Sequence, residues 1–424
     1  MRPRPVLKAR TATSLETAKS PPQETPATPV SRYLLILNAG SSSVKFSVFE
    51  TADALALRWR GQIEGFGGAP SFEVRDGGGD AVLSRAFPIP PGAAPHKAAF
   101  AALFDWLFGV IGRDELIAAG HRVVHGGGLF TEPALIDPET LERIEGMSPL
   151  APLHQPHNAA GIRAVAEIVP GLPQVACFDT AFHRTLPEAA YTVPLPRPVR
   201  EAGVRRYGFH GLSYENVARA LPSHLARQQT RVIAAHLGNG ASLCAMQGGQ
   251  CVDTTMSFTA LDGLVMGTRA GSLDPGVVLY MLRAGVELDA IEDLLYRRSG
   301  LLGLSGISSD MSTVLESPAP DAALAIDCFV YRIVREIGGM AASLGGLDAL
   351  VFTAGIGERS AAIRERVCKR LGWLGVSLDS DANASHSPVI SEPGSPVTVL
   401  IIPADEEAVI ARYTLDLAGR TEGN

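Results

Sequence analysis

The fold is indicated most clearly by residues 34–48, which read Leu34-Leu-Ile-Leu-Asn-Ala-Gly-Ser-Ser-Ser-Val-Lys-Phe-Ser-Val48. The apolar run breaks at position 38 and resumes with Val44, Phe46 and Val48, so the pattern predicts a strand, a tight polar turn and a second strand. Gly40 lets the backbone approach an anion, and the serine hydroxyls of the turn can donate hydrogen bonds to phosphate oxygens. We therefore expect a phosphate-binding hairpin.

A second segment repeats this form about half a chain later. It reads Val232-Ile-Ala-Ala-His-Leu-Gly-Asn-Gly-Ala-Ser-Leu-Cys-Ala-Met246 and again predicts a strand, a Gly/Asn/Ser turn and a strand. Glycine turns between strands are common, so this repeat has limited weight alone. It favours two related domains that face each other across a nucleotide cleft.

Composition restricts the class of protein. The 424 residues are 46% hydrophobic and 19% charged, which is typical of a globular chain with two or three domains. The net charge of −7 argues against a nucleic-acid binder, and no apolar run approaches the ~20 residues that span a bilayer. The five cysteines are spread widely without a CxxC motif, which suggests neither a disulfide framework nor a zinc site. We expect a cytoplasmic protein.

The predicted elements after residue 32 alternate between strands and helices. Strands are expected at 231–235 and 349–353, helices at 98–111 and 326–344, and loops at 65–79 and 88–95. Residues 1–31 are rich in proline, serine, threonine and alanine, which predicts a disordered extension. Its early basic residues also resemble an organellar transit segment, but a simple tail is the favoured interpretation.

Two arginines and one aspartate are the first candidates for chemistry. Arg122 lies among glycines at the end of a predicted strand and could grip a carboxylate or phosphate, although a surface salt bridge is the alternative. Arg269 also lies between glycines. Asp179 follows an apolar strand, where it could bind a metal or an arginine or cap a helix. The guanidinium group of Arg122 in particular suits an anionic ligand.

Further polar segments lie in apolar surroundings. His210 is part of the donor-rich segment 205–213, although a lone histidine is more often structural. Residues 351–358 predict a strand that runs into a GxG turn, a weak nucleotide signal alone. The acids of 403–407 could serve Mg²⁺ or begin a helix. P-loop, protein-kinase, GxSxG and HExxH motifs are absent from the sequence.

Seven segments together, in this order, resemble the acetate kinase family within the ASKHA superfamily of acetate and sugar kinases, Hsp70 and actin. They are Asn38–Ser43, His121–Gly127, Phe178–His183, Tyr207–Gly211, His236–Ser242, Gly267–Arg269 and Gly355–Glu358. The resemblance covers residue 33 to the C-terminus. It implies a duplicated ASKHA (actin-like, ribonuclease H-like) α/β fold with an interdomain nucleotide cleft, and a homodimer. The implied domains are residues 32–183 with 408–424, and residues 184–407, the second for nucleotide binding and dimerisation.

The resemblance also implies a reaction and its residues. Acetate and ATP would give acetyl phosphate and ADP with Mg²⁺, or Mn²⁺ as an alternative ion. Arg122 and Arg269 would hold acetate and the transferred phosphoryl group, His210 would donate to the phosphoryl oxygens with help from His154, and Asp179 would act with the metal. The remaining expected contacts are Ser41, Ser43, Lys45, His236, Gly238, Asn239, Gly240, Gly355, Ile356 and Gly357 for the nucleotide, Val124, Leu153, Phe209 and Ala260 for the acyl group, and Asn38 and Glu406 for the metal.

Some positions depart from the family pattern. Ala260 stands in place of a proline, Tyr214 in place of a histidine, and Ala404 in place of a threonine. A smaller residue at 260 widens the expected acyl pocket, so a propionate or broader short-chain acyl kinase is the first alternative. A non-catalytic ATP-binding protein of the actin or Hsp70 type is a remote alternative, because such a protein does not need to bind a second anion.

Overall fold

The computed structural model describes Met1 and residues 31–51, 55–66, 69–89, 94–225 and 231–421. The predicted extension at residues 1–31 lies outside these residues, except for its two ends. None of the described helices is both long and apolar enough to cross a membrane.

The strands of the described residues form two sheets, with eight strands in the first and five in the second. Their bounds are β1 Tyr33–Ala39, β2 Ser43–Glu50, β3 Ala56–Glu64, β4 Ser71–Asp76, β5 Ala81–Ala86, β6 Leu116–Val123, β7 Ala134–Leu135 and β8 Gln174–Phe178 in the first sheet, and β9 Arg231–Leu237, β10 Ala241–Gln247, β11 Gln250–Thr254, β12 Ala349–Thr353 and β13 Thr398–Ile401 in the second.

Helices cover the faces of both sheets. Their bounds are α1 Pro95–Val110, α2 Pro138–Gly146, α3 Gln155–Ile168, α4 Glu188–Tyr191, α5 Arg197–Glu201, α6 Gly211–Ala220, α7 Pro275–Arg283, α8 Leu288–Arg297, α9 Gly300–Ser305, α10 Met311–Glu316, α11 Pro320–Leu344, α12 Ala354–Arg359, α13 Ala361–Lys369, α14 Ser380–Ala384 and α15 Glu406–Thr421. The predicted helices in α1 and α11 begin earlier than expected, because a proline at the first helical position starts each one.

The two sheets share one strand order. The core of the first is β3-β2-β1-β6-β8 and the second is β11-β10-β9-β12-β13. In both, two antiparallel pairings are followed by two parallel pairings. The predicted duplicated α/β fold is thus confirmed, and the two hairpins recognised in the sequence occupy equivalent places. The residue bounds of the two domains stay a prediction.

Strand β1 is buried on both faces, as is typical of a central strand. Leu35 and Leu37 pack in the cluster that contains the inner face of α1, while Leu34 and Ile36 pack with α15. Since side chains alternate along a strand, one apolar run anchors helices on two sides. The C-terminal helix is thereby held against the first sheet, and its first residue, Glu406, lies beside Arg122.

Two sequence predictions about local structure are wrong. The glycine-rich segment 65–79 contains strand β4, in which Phe72 and Val74 are buried at period-2 spacing, so its glycines flank a strand. Gly355 and Gly357 lie in helix α12, where a GxG turn was expected. The chain turns one residue after β12, at Ala354, whose φ of 64° redirects the backbone into that helix.

Candidate active site

A cavity of about 570 Å³ lies where the turns of the two hairpins meet. Residues from both halves of the chain form its wall. They are Asn38, Ala39, Gly40, Ser43, Lys45, Arg122, Val124, His154, Asn158, Asp179, Phe209, His210, His236, Gly238, Asn239, Gly240, Ala260, Arg269 and Glu406. The cavity therefore brings together most of the predicted site residues.

Five predicted residues are not among those that line the cavity. Ser41 is exposed at the tip of the first turn, and Leu153 is partly buried next to His154. Gly355, Ile356 and Gly357 lie in α12, which begins beside the second turn: a Cβ on Gly238 would be 3.8 Å from the Cβ of Ala354.

Asn158 is a wall residue that the sequence pattern did not indicate. Its Nδ2 donates to the carbonyl oxygen of Ala39 at 2.9 Å, and its Oδ1 accepts from the backbone N–H of Val124 at 3.0 Å. It thus joins the end of β1 to the end of β6. The one feature of the sequence that could have indicated Asn158 is its position directly after the polar cluster of residues 151–157.

Arg122 and Asp179 form a bidentate ion pair in the cavity wall. Arg122 Nη2 donates to Asp179 Oδ2 at 2.7 Å, and Arg122 Nε donates to Oδ1 at 3.0 Å. The pair forms because β6 and β8 are parallel neighbours whose carboxyl ends meet at one edge of the sheet. Asp179 is 2% exposed, so this is not the surface salt bridge that the sequence left open. Glu406 Oε2 lies 3.5 Å from Arg122 Nε.

The carboxylates here are close to one another and shielded from water. Burial raises the pKa of Glu406 to about 7, and the charges of Asp179 and Glu407 act in the same direction. Burial disfavours the Arg122 cation, yet Asp179 and Glu406 raise its pKa above the ordinary value. Carboxylate oxygens beside the amide of Asn38 are hard donors of the kind that Mg²⁺ prefers. The residues present therefore fit a divalent cation at this edge.

Three cavity histidines are held in the neutral form. Burial lowers the pKa of His154 to about 4, with the charges of Arg269 and Arg122 acting in the same direction. Burial lowers the pKa of His236 to about 3, and burial together with His236 and Arg122 lowers that of His210. A neutral imidazole can donate one hydrogen bond to an anion without losing a proton.

His210, Arg269 and Gly240 meet at the second turn. His210 stacks on His236 with ring centroids 4.1 Å apart. A Cβ on Gly240 would lie 3.0 Å from Arg269 Nη2 and 3.3 Å from His210 Nε2, so the absent side chain leaves room for both. Arg269 Nη1 donates to the carbonyl oxygen of Ala260 at 2.7 Å, which orients the guanidinium. Its second amino group and Nε2 of His210 therefore both lie next to Gly240.

Known proteins are similar to this chain over most of its length. The model of the acetokinase family matches residues 33–412. The acetate kinase of Rhodopseudomonas palustris (strain ATCC BAA-98 / CGA009) is 53% identical over 399 residues, which cover 92% of this chain and 99% of that protein. The acetate kinase of Nitrobacter hamburgensis is 49% identical, with 91% and 96% covered.

Solved structures are similar over the same length. The acetate kinase of Porphyromonas gingivalis has a TM-score of 0.82 at 37% identity, and the propionate kinase of Francisella tularensis has 0.85 at 36%. Each comparison covers 91% of this chain and 99% of the other. A match over most of the chain at these identities leaves one conclusion: the chain belongs to the acetokinase family.

Proposed function

We propose that this chain is an acetate kinase, a phosphotransferase with a carboxyl acceptor. It transfers the γ-phosphoryl group of ATP reversibly to acetate in one direct in-line step and gives acetyl phosphate and ADP. The observation that carries the proposal is that Arg122 of the first half and Arg269 of the second line one cavity with the neutral His210. The relatives that bear the name acetate kinase support the same reaction.

The substrate explains why cations line the cavity. A carboxylic acid with a pKa near 4 is already ionised at neutral pH, so acetate needs no general base. The difficulty is to bring this anion against the polyphosphate and to stabilise the charge of the transition state. In the proposal, Arg122 holds acetate, Arg269 holds the transferred phosphoryl group, and His154 adds a neutral donor.

Both turns would hold the polyphosphate of ATP. Ser43 and Lys45 of the first hairpin and Gly238, Asn239 and Gly240 of the second line the cavity, with His236 beside them. We place Ser41 at the outer edge of this channel, and Gly355, Ile356 and Gly357 beside the adenosine. Asp179, Glu406 and Asn38 would hold Mg²⁺, directly or through water, and the ion would neutralise phosphate charge; Mn²⁺ is the alternative ion.

His210 would donate from Nε2 to the phosphoryl group because its neighbours fix the tautomer. Ser242 Oγ lies 2.8 Å from His210 Nδ1 and 2.5 Å from the Tyr214 hydroxyl. Burial raises the pKa of Tyr214 well above its usual value, so the hydroxyl keeps its proton. Either hydroxyl could be the donor between Tyr214 and Ser242, and in the proposal Tyr214 donates. Ser242 then donates to Nδ1. A neutral ring that accepts at Nδ1 carries its proton on Nε2, which lies next to Gly240 in the second turn.

The acyl group would lie against Val124, Phe209 and Ala260, which share the cavity wall, with Leu153 outside it. Ala260 favours a second candidate, a kinase that also accepts propionate, because a small residue here leaves space for another methylene. The similarity to a propionate kinase structure is compatible with this alternative. A non-catalytic ATP-binding protein is not favoured, because it would not need both arginines.

We also propose a homodimer located in the cytoplasm. Helix α7 has no buried residue, yet Val277, Leu279, Tyr280 and Leu282 on it are apolar and 39–71% exposed. A patch of this kind marks an interaction surface, and the family resemblance implies a second copy as the partner. All five cysteines are free thiols, as expected in a reducing compartment.

Replacement of Arg269 tests the catalytic assignment. In Arg269→Ala, the rate of acetyl hydroxamate formation from ATP, acetate and hydroxylamine should fall about 10²–10³-fold, because a transition-state contact is lost. Arg122→Ala should lower kcat and raise KM for acetate. Arg143→Ala removes an exposed ion pair on α2 and should change neither constant. Full turnover in Arg269→Ala would contradict the mechanism, and no hydroxamate from the native chain would contradict the function.

Replacement of Tyr214 tests the tautomer of His210. In Tyr214→Phe, kcat should fall about tenfold or less, since one hydrogen bond contributes about 0.5–1.5 kcal/mol, while KM for both substrates stays the same. The ring ¹⁵N signals of His210 should show a mixture of tautomers. Tyr413→Phe removes a hydroxyl that bonds Glu215 away from the cavity and is the matched control. An unchanged His210 signal in Tyr214→Phe would refute the assignment.

Replacement of Ala260 tests the acyl pocket. Ala260→Pro should raise the ratio of kcat/KM for acetate to kcat/KM for propionate, because one methylene contributes about 1–3 kcal/mol to discrimination. Ala404→Thr restores another common family residue outside the cavity and should leave this ratio unchanged. If the native chain already prefers propionate over acetate and butyrate, the second candidate replaces the first.

Replacement of Tyr280 tests the dimer. Light scattering during size exclusion should give twice the mass of one chain for the native protein. Tyr280→Asp should shift it towards the monomer, because a charge cannot be buried there without a partner. Val82→Asp changes an exposed apolar residue of the edge strand β5 and should remain dimeric. A native monomer would contradict the proposal.

A further inference from the structure

Three soft donor side chains meet in the core behind the cavity. His183, Cys244 and Cys251 come from the segment after β8 and from strands β10 and β11, and their donor atoms all lie within 4.8 Å of one another. Each of the three residues is at most 1% exposed. This cluster takes no part in the reaction proposed above.

The orientation of His183 is that of a metal-bound histidine. Its Nε2 lies 2.9 Å from the carbonyl oxygen of Phe209, which can only accept, so Nε2 carries the proton. The lone pair is therefore on Nδ1, which lies 3.1 Å from Cys251 Sγ. Metal-bound histidines commonly donate their other ring N–H to a backbone carbonyl in this way.

The chemistry of the donors selects a soft ion. The three donor atoms are two sulfurs and one imidazole nitrogen, all within 4.8 Å of one another. Thiolate and imidazole are ligands for Zn²⁺ and Cu⁺, whereas Mg²⁺ prefers oxygen. Two thiolates and a neutral imidazole would leave Zn²⁺ with no net charge, which favours burial.

We infer that His183, Cys244 and Cys251 form a binding site for one thiophilic metal ion, Zn²⁺ or Cu⁺, separate from the Mg²⁺ site. The ion takes the place of the thiol protons, which pass to solvent. The site adjoins the segment that carries His210: a Cβ on Gly208 would lie 2.5 Å from the His183 ring. A bound ion would hold His183, and through it the carbonyl of Phe209, in one position.

The test uses the full chain isolated from cultures supplemented with zinc, cobalt or copper salts, so that the ion is present while the buried site folds. We expect one ion per chain by elemental analysis, a thiolate-to-metal charge-transfer band in the cobalt and copper forms, and a higher Tm than the metal-free chain. Cys244→Ser and Cys251→Ser should lose the band and the ion, whereas Cys328→Ser, on helix α11, should keep both.

Elemental analysis of the chain from the zinc cultures and from the copper cultures shows which of the two ions the site holds. Ions held only by the cavity histidines would give no thiolate band and would persist in both cysteine variants, and this result would overturn the inference. If Cys251→Ser does not fold, Cys244→Ala supplies the comparison. Absence of the band from the native chain in both the cobalt and the copper forms would also overturn it, whatever the variants show.

Discussion

The bidentate ion pair between Arg122 and Asp179 is the interaction on which the site depends. It joins the carboxyl ends of two parallel strands, and Glu406 brings the first turn of the C-terminal helix to the same guanidinium. Three parts of the chain that are distant in sequence are thus fixed at one sheet edge. Removal of one partner of a buried ion pair leaves an uncompensated charge. The buried carboxylates therefore need Arg122 to balance their charge, and Arg122 needs the carboxylates for the same reason.

Duplication supplies the opposite wall. Because both sheets use the same strand order, a second glycine-rich turn lies in the place equivalent to the first. Arg122 and Asp179 lie at the ends of strands of the first sheet and Glu406 begins the helix packed on that sheet, while Arg269 and His210 lie beside the turn of the second hairpin. An anion between them meets cations from two sides, and neutral histidines add donors without adding charge. This distribution suits the approach of one anion to another.

The sequence predicted those parts of the site that depend on local pattern. Both hairpins, strand β12 and the strand that leads to Asp179 follow from apolar runs that end at glycine or at a polar residue. The sequence did not predict that Gly355 and Gly357 lie in a helix. The positive φ of Ala354 precedes them, and this φ depends on how helix α12 packs and not on the GxG motif.

Features that depend on distant contacts could not be predicted. Asn158 is an ordinary helical amide until the fold places it between Ala39 and Val124. His183 and Cys251 are 68 residues apart and have no metal-binding spacing, so only the adjacency of β11 to the segment after β8 brings them together. The resemblance to a family located the cavity residues, whereas it offered nothing about this cluster.

A crystal structure of the chain with MgADP, acetate and aluminium fluoride would test the central claim most directly. We expect the fluoride group between the acetate carboxylate and the β-phosphate of ADP, with Arg122, Arg269 and Nε2 of His210 as its contacts. Acetate bound outside the cavity, or a fluoride group that Arg269 and His210 do not contact, would contradict the proposed reaction site.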